Sequence, residues 1–177
     1  MFNPLDTFPY IGLRPFSEED SLYFKGRDEQ ILQLTALLEA NKFLMVTGAS
    51  GDGKSSLVYA GLVPNARAGF FRAIHTNWVV ADFRPERTPL QNLSKTISRN
   101  LRIEDEASVE VELRRGFSSL LEVYTNSSLH CDEQSESWKA ASEAEREGMH
   151  RQAANLLIVA DQFEEFFTNP EIGRAHV

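Results

Sequence analysis

The chain has 177 residues, of which 42% are hydrophobic and 25% are charged, so it has the size and apolar content of one globular domain or of part of a larger one. Its formal net charge of -8 disfavours a nonspecific electrostatic hold on nucleic acid or on an anionic membrane. One cysteine excludes an internal disulfide framework, and one cysteine with four scattered histidines excludes a four-ligand zinc cluster. Because the sequence shows neither a signal peptide nor a membrane-spanning apolar run, we expect a soluble, cytoplasmic protein.

The amino-terminal segment combines turn-forming and apolar residues. Two prolines and a glycine among apolar side chains predict that residues 1–16 form an extended arm. Ser17 and Asp20 have the spacing of a capping box and predict a short helix through about Phe24, which Gly26 ends.

The next elements follow from the spacing of apolar residues. Residues 28–40 have apolar side chains at helical intervals and are predicted to form an amphipathic helix. The short apolar run 43–47 predicts a strand that is buried on both faces. A helix is expected from 53 to 62, with Pro64 ending it.

The rest of the chain alternates strands with helices. Apolar runs predict strands at 77–83 and 156–160. Between them we expect a helix over 88–101, a further helix over 109–124 and a solvated helical excursion over 132–152. This alternation predicts an α/β fold with a parallel sheet.

Residues 48–55 match the phosphate-loop pattern G-x-x-x-x-G-K-[ST] and lie between a predicted strand and a predicted helix. In such loops, glycines let successive N–H groups point at a phosphate, and the helix that follows adds its positive end. We expect Lys54 to reach the β- and γ-phosphates of a nucleotide and Ser55 to hold Mg²⁺. The candidate nucleotide-binding residues of this loop are Gly48, Ala49, Ser50, Gly51, Asp52, Gly53, Lys54, Ser55 and Ser56.

A second group of candidate residues follows the strand predicted at 156–160. Asp161 lies at the carboxyl end of that strand, where open α/β sheets bind ligands, and such an acid holds Mg²⁺ in P-loop proteins. Glu164 and Glu165 follow within one turn, and either could act as the general base that activates a water molecule. The sequence leaves the choice between them open.

With both motifs in place, the chain resembles the novel STAND-type P-loop NTPases, a branch close to the NACHT and NB-ARC switch ATPases and related to AAA+ proteins. The resemblance rests on P-Y-I-G-L-R-P-F at 9–16 with S-E-E-D after it, F-K-G-R-D-E at 24–29, the phosphate loop with A-G-L-V-P at 60–64, and D-Q-F-E-E at 161–165. It covers residues 8 to 170, and the first and last of these motifs are more specific than a phosphate loop alone.

The resemblance implies roles that spacing does not. In the family, the Gly-Arg-acid box lies beside the adenine, which makes Phe24, Gly26 and Arg27 candidates for contact with the base; the residues themselves favour equally a plain helix-entry role for Arg27. Asp161 and the two acids after it match a NACHT-like metal and base motif. Gln162 departs from the Asp-Glu pair of AAA+ ATPases, so hydrolysis is expected to be slow, as suits a switch.

The resemblance also implies a three-layer sandwich with a mainly parallel sheet. We expect residues 17–171 to be part of a STAND NTPase domain that is truncated after the strand ending at Asp161. A full-length relative would add a carboxyl-terminal sensor, either a propeller or helical repeats, and would form a homo-oligomer when ATP binds. Residues 172–177 look like the translation of a sequencing adapter, so a non-native tail is expected there.

Several functions remain as alternatives. The leading hypothesis is an ATP-binding switch with slow Mg²⁺-dependent hydrolysis, and the alternative is a scaffold that binds ATP or ADP without meaningful turnover. A small-molecule P-loop kinase is disfavoured because no Arg-rich lid is evident, and a DNA-loading ATPase is disfavoured by the acidic charge balance.

Overall fold

The computed structural model of the protein describes residues 11–12, 14–116 and 118–168. The chain divides into two units, Met1–Arg72 and Ala73–Val177. The predictions for residues 1–10 and for the tail at 172–177 lie outside the described residues.

The first unit is helical. A 3₁₀ helix, Glu18–Asp20, precedes α1 (Asp28–Asn41), and a longer helical run consists of α2 (Lys54–Ser56), a π-helix (Leu57–Leu62) and α3 (Val63–Arg67).

Helix α1 confirms the amphipathic helix predicted for this segment. Its half-buried side chains include Ile31, Leu34 and Leu38, which share one face at intervals of three and four residues. Leu32 and Leu37, which the apolar pattern also placed on the buried side, are exposed. The buried stripe is therefore narrower than the sequence suggested.

The short helix predicted from Ser17 to about Phe24 is only partly present. After Glu18–Asp20, the chain continues as turns in which Tyr23 N–H donates to Asp20 O and Phe24 N–H donates to Ser21 O. These are bonds across three residues, not four, so no α-helical turn closes. A segment of this length gains too few hydrogen bonds to offset the cost of helix nucleation.

The prediction of a buried strand at 43–47 was wrong, because these residues form no strand in the structure. Phe43 is 76% exposed and Met45 is 67% exposed, whereas Leu44 and Val46 between them are half-buried. A strand needs a neighbour to accept and donate its ladder hydrogen bonds. The described sheet contains only the two strands of the second unit, and this apolar run belongs to no strand, with its side chains alternating between exposed and half-buried.

The expectation that Pro64 ends the helix after the phosphate loop was also wrong. The helical run continues to Arg67, and Val63 N–H donates to Val58 O, five residues back. Pro64 comes directly after this π-type bond, in the first turn of α3, where a residue without an N–H group is tolerated.

The second unit contains the sheet. Its elements are β1 (Asn77–Phe83), α4 (Pro89–Leu101), α5 (Glu106–Leu113), α6 (Ser119–Thr125), α7 (Glu136–Ala140), α8 (Glu143–Gln152), β2 (Ala154–Ala160) and α9 (Glu165–Thr168).

The two strands pair in parallel, with Asn77 opposite Ala154 and Phe83 opposite Ala160. This confirms both predicted strands and the α/β class. Alternate residues of the strands, which share one sheet face, pack against α4, α5 and α6. The residues of this core are Val79, Ala81, Leu90, Leu93, Ile97, Leu101, Ile103, Val109, Leu113, Leu120, Val123, Tyr124, Leu129, Leu156 and Ile158.

The helices between the strands differ from prediction in one place. The single helix expected over 109–124 is two helices, because the chain turns between α5 and α6 at Gly116, whose φ of 123° is accessible chiefly to glycine. The solvated excursion is confirmed, since α7 and α8 contain no fully buried residue. Trp138 packs under the Arg146 guanidinium at 5.6 Å and beside the His150 ring at 4.8 Å. Within the described part of the chain, no helix is both long and apolar enough to span a membrane.

Candidate functional site

The glycine-rich segment at 48–53 is a tight loop that leads into α2. Gly51 and Gly53 have φ angles of 89° and 81°, a region that other residues enter only with strain. The Lys54 side chain turns back over the loop, and its Nζ donates to the carbonyl oxygens of Gly48 and Ala49, each at 3.0 Å. The ammonium group is therefore held at the mouth of the loop by the loop's own backbone.

The Asp52 side chain closes the loop from within. Ala49 N–H donates to Asp52 Oδ2 at 2.7 Å, and Asp52 N–H donates to Ala49 O at 3.3 Å. A Cβ atom on Gly48 would lie 2.8 Å from the same carboxylate oxygen, so a side chain there would displace Asp52. The loop thus keeps a fixed shape through contacts of its own residues.

The segment before α1 is fixed to the helical run that follows the loop. Phe16 N–H donates to Ser56 Oγ at 3.0 Å, and Ser56 is only 8% exposed. Two residues further on, Glu18 forms an ion pair of 2.7 Å with Arg67 at the end of α3. Phe16, the last residue of the G-L-R-P-F motif, and Glu18 therefore contact the phosphate-loop helical run directly.

A clip of opposite charges holds this segment in shape. The Arg14 guanidinium donates to both carboxylate oxygens of Asp20, at 2.6 and 3.1 Å. The N–H and hydroxyl groups of Ser17 donate to the same carboxylate, each at 2.8 Å, which confirms that Asp20 reaches back as a capping-box acid. The hydrogen bond from Arg14, then those from Ser17, hold the pKa of Asp20 well below its usual range, and the pKa of Arg14 is raised in turn.

The residues proposed to contact the base lie at the start of α1. The Phe24 ring packs against the Phe16 ring with centroids 5.4 Å apart, and Gly26 adopts a φ of 78° in the turn that follows. Arg27 is exposed and caps α1, with its carbonyl accepting from Ile31 N–H. This is the helix-entry geometry, and contact with a base remains a prediction.

Gly61 permits α1 to approach the phosphate-loop helix closely. A Cβ atom at Gly61 would lie 2.7 and 2.8 Å from Ile31 Cγ1 and Cδ1, and 3.8 Å from the Phe24 ring. Glycine at this point thus brings the segment at 24–31 directly against the helix that carries Lys54.

In the second unit, Asp161 directly follows β2 at the carboxyl edge of the sheet. Its N–H donates to Phe83 O at 3.0 Å, which extends the parallel ladder by one residue. The Asp161 side chain is only 12% exposed, and its Oδ2 lies 3.4 Å from Nη2 of Arg84, the residue directly after β1. The predicted metal-binding carboxylate is therefore paired with a cation from the neighbouring strand.

The turn after Asp161 presents the two candidate base residues. Gln162 has a φ of 57°, a left-handed conformation that costs a non-glycine residue about 1–2 kcal/mol. Its carbonyl accepts from Glu165 N–H at 3.0 Å, so Glu165 begins α9 half-buried, whereas Glu164 is exposed in the turn.

Three aromatic rings support this turn. The Phe163 ring stacks on Phe166 at 5.6 Å, and Phe167 meets both edge-on. The three rings therefore pack together beside the turn that carries Glu164 and Glu165.

The structure brings the predicted site residues together in two groups. Residues 48–56 form the loop and first helical turn of the first unit, and Asp161, Glu164 and Glu165 lie within one turn in the second. The hydroxyl of Ser55 and the carboxylate of Asp161 are hard oxygen donors, the kind that Mg²⁺ prefers. The described residues contain no group of three or more His, Cys, Asp or Glu side chains that could hold a metal ion.

Three features of these groups were not predicted. The sequence pattern assigned no role to Arg84, which follows the strand predicted at 77–83, and it did not pair Arg14 with Asp20. It also gave no sign that Gln162 adopts a left-handed conformation, which glutamine does not favour. One signal could have found the pair of Arg84 with Asp161: these residues have opposite charges, and each follows a strand predicted to be parallel to the other.

A glycine-rich loop leading into a helix, together with parallel strands of which one is followed directly by an acid, is compatible with the P-loop class of α/β proteins. A family model described as Novel STAND NTPase 1 matches residues 9–176, and the chain belongs to this family. The resemblance drawn from the sequence is thereby confirmed. No curated protein and no solved structure matches the chain.

Proposed function

We propose that the protein is an ATP-binding signal-transduction switch that hydrolyses ATP slowly with Mg²⁺. Membership of the STAND NTPase family suggests a nucleotide-binding role in signalling. The observation that carries the proposal is the phosphate loop, in which Lys54 Nζ is held over the Gly48 and Ala49 carbonyls at the start of a helical run. An incoming phosphate offers this ammonium group a stronger, charged acceptor than those two carbonyls.

In this proposal, Lys54 binds the phosphates and residues 48–56 supply the surrounding backbone groups. Ser55 and Asp161 would hold Mg²⁺, which would neutralise charge on the phosphates. Glu164 or Glu165 orients the attacking water and accepts its proton. Removing a positioned general base costs about 10²- to 10⁴-fold in rate.

The test is phosphate release by the purified full-length protein, measured alongside ATP binding. We expect Lys54→Ala to abolish both, and Glu164→Gln with Glu165→Gln to abolish release while ATP binding persists. The two single glutamine variants identify which acid is the base. Release that survives the double glutamine variant but disappears with Lys54→Ala would remove the base role from both acids.

A scaffold that binds ATP or ADP without turnover is the second candidate. It is supported by Gln162, which follows Asp161 at the position where AAA+ ATPases have a second acid. ATP binding that depends on Lys54, with no phosphate release above the level of the Lys54→Ala variant, would favour the scaffold over the ATPase.

We also propose the wider properties that the family resemblance implies. These are a cytoplasmic location, a three-layer P-loop sandwich, a sensor domain in the full-length protein and an ATP-driven homo-oligomer. Family membership supports oligomerisation as part of the switch. Light scattering should show a rise in mass with ATP in the wild type, and no rise in the Lys54→Ala variant.

A further inference from the structure

We propose that Arg84 is a stand-in cation for Asp161: it pairs with this carboxylate when no metal is bound, and Mg²⁺ must displace it. This inference rests on the proposed function, in which Asp161 is a metal ligand. It adds a residue that sets how much Mg²⁺ the site requires.

The position of Arg84 is fixed by the fold. Strands β1 and β2 end in register at Phe83 and Ala160, so Arg84 and Asp161 leave the sheet side by side at its carboxyl edge. The Asn92 side chain donates to the carbonyl oxygens of Arg84 and of Pro85, at 3.0 and 3.1 Å, and Pro85 is fully buried. The backbone of Arg84 is therefore anchored from α4, and its side chain starts from a defined point next to Asp161.

The geometry of the pair suits a partner that can leave. A strong charge-assisted hydrogen bond from a guanidinium to a carboxylate is about 2.7–2.9 Å long. The Nη2–Oδ2 distance between Arg84 and Asp161 is 3.4 Å, and the Arg84 side chain is 52% exposed. Asp161, in contrast, is largely buried, so its negative charge gains from a cation at this edge whether that cation is a guanidinium or a metal ion.

Competition of this kind has a definite magnitude. An exposed ion pair is favoured over its open form by a factor of about 1.5 to 5. A competing metal must overcome that factor, so abolishing the pair should lower the apparent dissociation constant for Mg²⁺ about two- to six-fold. Replacing Arg84 by lysine keeps the charge and should leave this dissociation constant closer to that of the wild type.

The experiment measures binding of a fluorescent ATP analogue while Mg²⁺ is titrated, for the wild type, Arg84→Gln, Arg84→Lys and Arg87→Gln. Arg87 is an exposed arginine three residues on, and it controls for the loss of one positive charge without loss of the pair. We expect Arg84→Gln to reach half-maximal binding at a lower Mg²⁺ concentration and Arg87→Gln to follow the wild type. Nucleotide affinity at saturating Mg²⁺ should change little.

Each other result overturns the inference. An unchanged dissociation constant for Mg²⁺ in Arg84→Gln, or the same change in Arg87→Gln, would show that the pair does not compete with the metal. A raised dissociation constant in Arg84→Gln would show that Arg84 assists metal binding. These outcomes leave the proposed function intact if the wild type binds ATP and Lys54→Ala does not, whereas a wild type without Mg²⁺-dependent ATP binding would remove both proposals.

Discussion

The close approach of α1 to the phosphate-loop helix at Gly61 makes Gly61→Ala a quantitative test of the first unit. The new Cβ atom would lie 2.7 and 2.8 Å from Ile31 Cγ1 and Cδ1, well inside van der Waals contact. Overpacking of a well-filled site costs about 1–3 kcal/mol, and two contacts this short favour the upper part of that range. Alanine favours a helix over glycine by up to about 1 kcal/mol, so the net loss of stability should be about 1–2 kcal/mol.

The same contact predicts that a second substitution rescues the first. Ile31→Ala removes both atoms that the new Cβ meets, at the cost of the contacts of a half-buried side chain. In a double-mutant cycle, Gly61→Ala with Ile31→Ala should therefore be less destabilised than the sum of the single variants, by about 2 kcal/mol. Additive effects would refute the reasoning, because they would mean that Gly61 and Ile31 are not in contact.

The assay must report on the first unit. Both tryptophans, Trp78 and Trp138, lie in residues 73–177, so tryptophan fluorescence would follow the other unit. Native-state hydrogen exchange of peptides covering 28–41 and 54–67 measures the opening free energy where the change is made.

A glycine in open surroundings provides the matched control. Gly148 lies within α8, and a Cβ atom there would meet no atom within 4 Å. Gly148→Ala should raise the stability of α8 by about 0.5–1 kcal/mol, because only the helix preference acts. Loss of stability in this control would show that the estimated helix preference, and with it the net value for Gly61, is wrong.

Three further predictions concern the segment that precedes α1. Ser56→Ala removes the acceptor of the Phe16 amide and leaves that donor without its partner, so it should lower the stability of this segment by about 1–3 kcal/mol. Faster hydrogen exchange at residues 14–24 would show this loss, and unchanged exchange would contradict it. Because folding lowers the pKa of Asp20, the ion pair with Arg14 should be fully formed above about pH 4 and lost as the pH falls through the lowered pKa. Asp20→Asn should break the pair already at neutral pH. In the wild type this segment should resist a protease down to about pH 4, whereas in the variant it should be cleaved at neutral pH. Gly26→Ala forces alanine into a left-handed conformation and should destabilise the entry to α1 by about 1–2 kcal/mol, measured by exchange in the peptide at 28–41; no change would refute the need for glycine there.

Periodicity predicted the elements that carry their own signal. Helix α4 and the strands β1 and β2 were found because apolar side chains repeat at 3.6-residue intervals or form short continuous runs. The same rule failed at 43–47, where an apolar run indicates burial but does not supply the neighbouring strand that would make it a ladder. It also missed the break at Gly116, since one glycine between two helical patterns in register leaves the pattern continuous.

The candidate site was predicted in its parts and not in its connections. The loop at 48–55 was recognisable because a phosphate-binding backbone requires glycines and a lysine at fixed spacing. The pairs Arg14 with Asp20 and Arg84 with Asp161 join residues that are six and seventy-seven positions apart. Such contacts depend on how the chain folds back on itself, so charge alone in the sequence could suggest them but not select them.

The measurement that tests the central claim most directly is equilibrium binding of ATP, with Mg²⁺ present, by the wild type and by Lys54→Ala. Lys95 on α4 is exposed, so Lys95→Ala controls for the loss of one positive charge far along the chain. The account predicts that ATP binds the wild type and the Lys95→Ala variant alike and that Lys54→Ala loses binding. Equal ATP affinity in all three proteins, or no binding by the wild type, would contradict it.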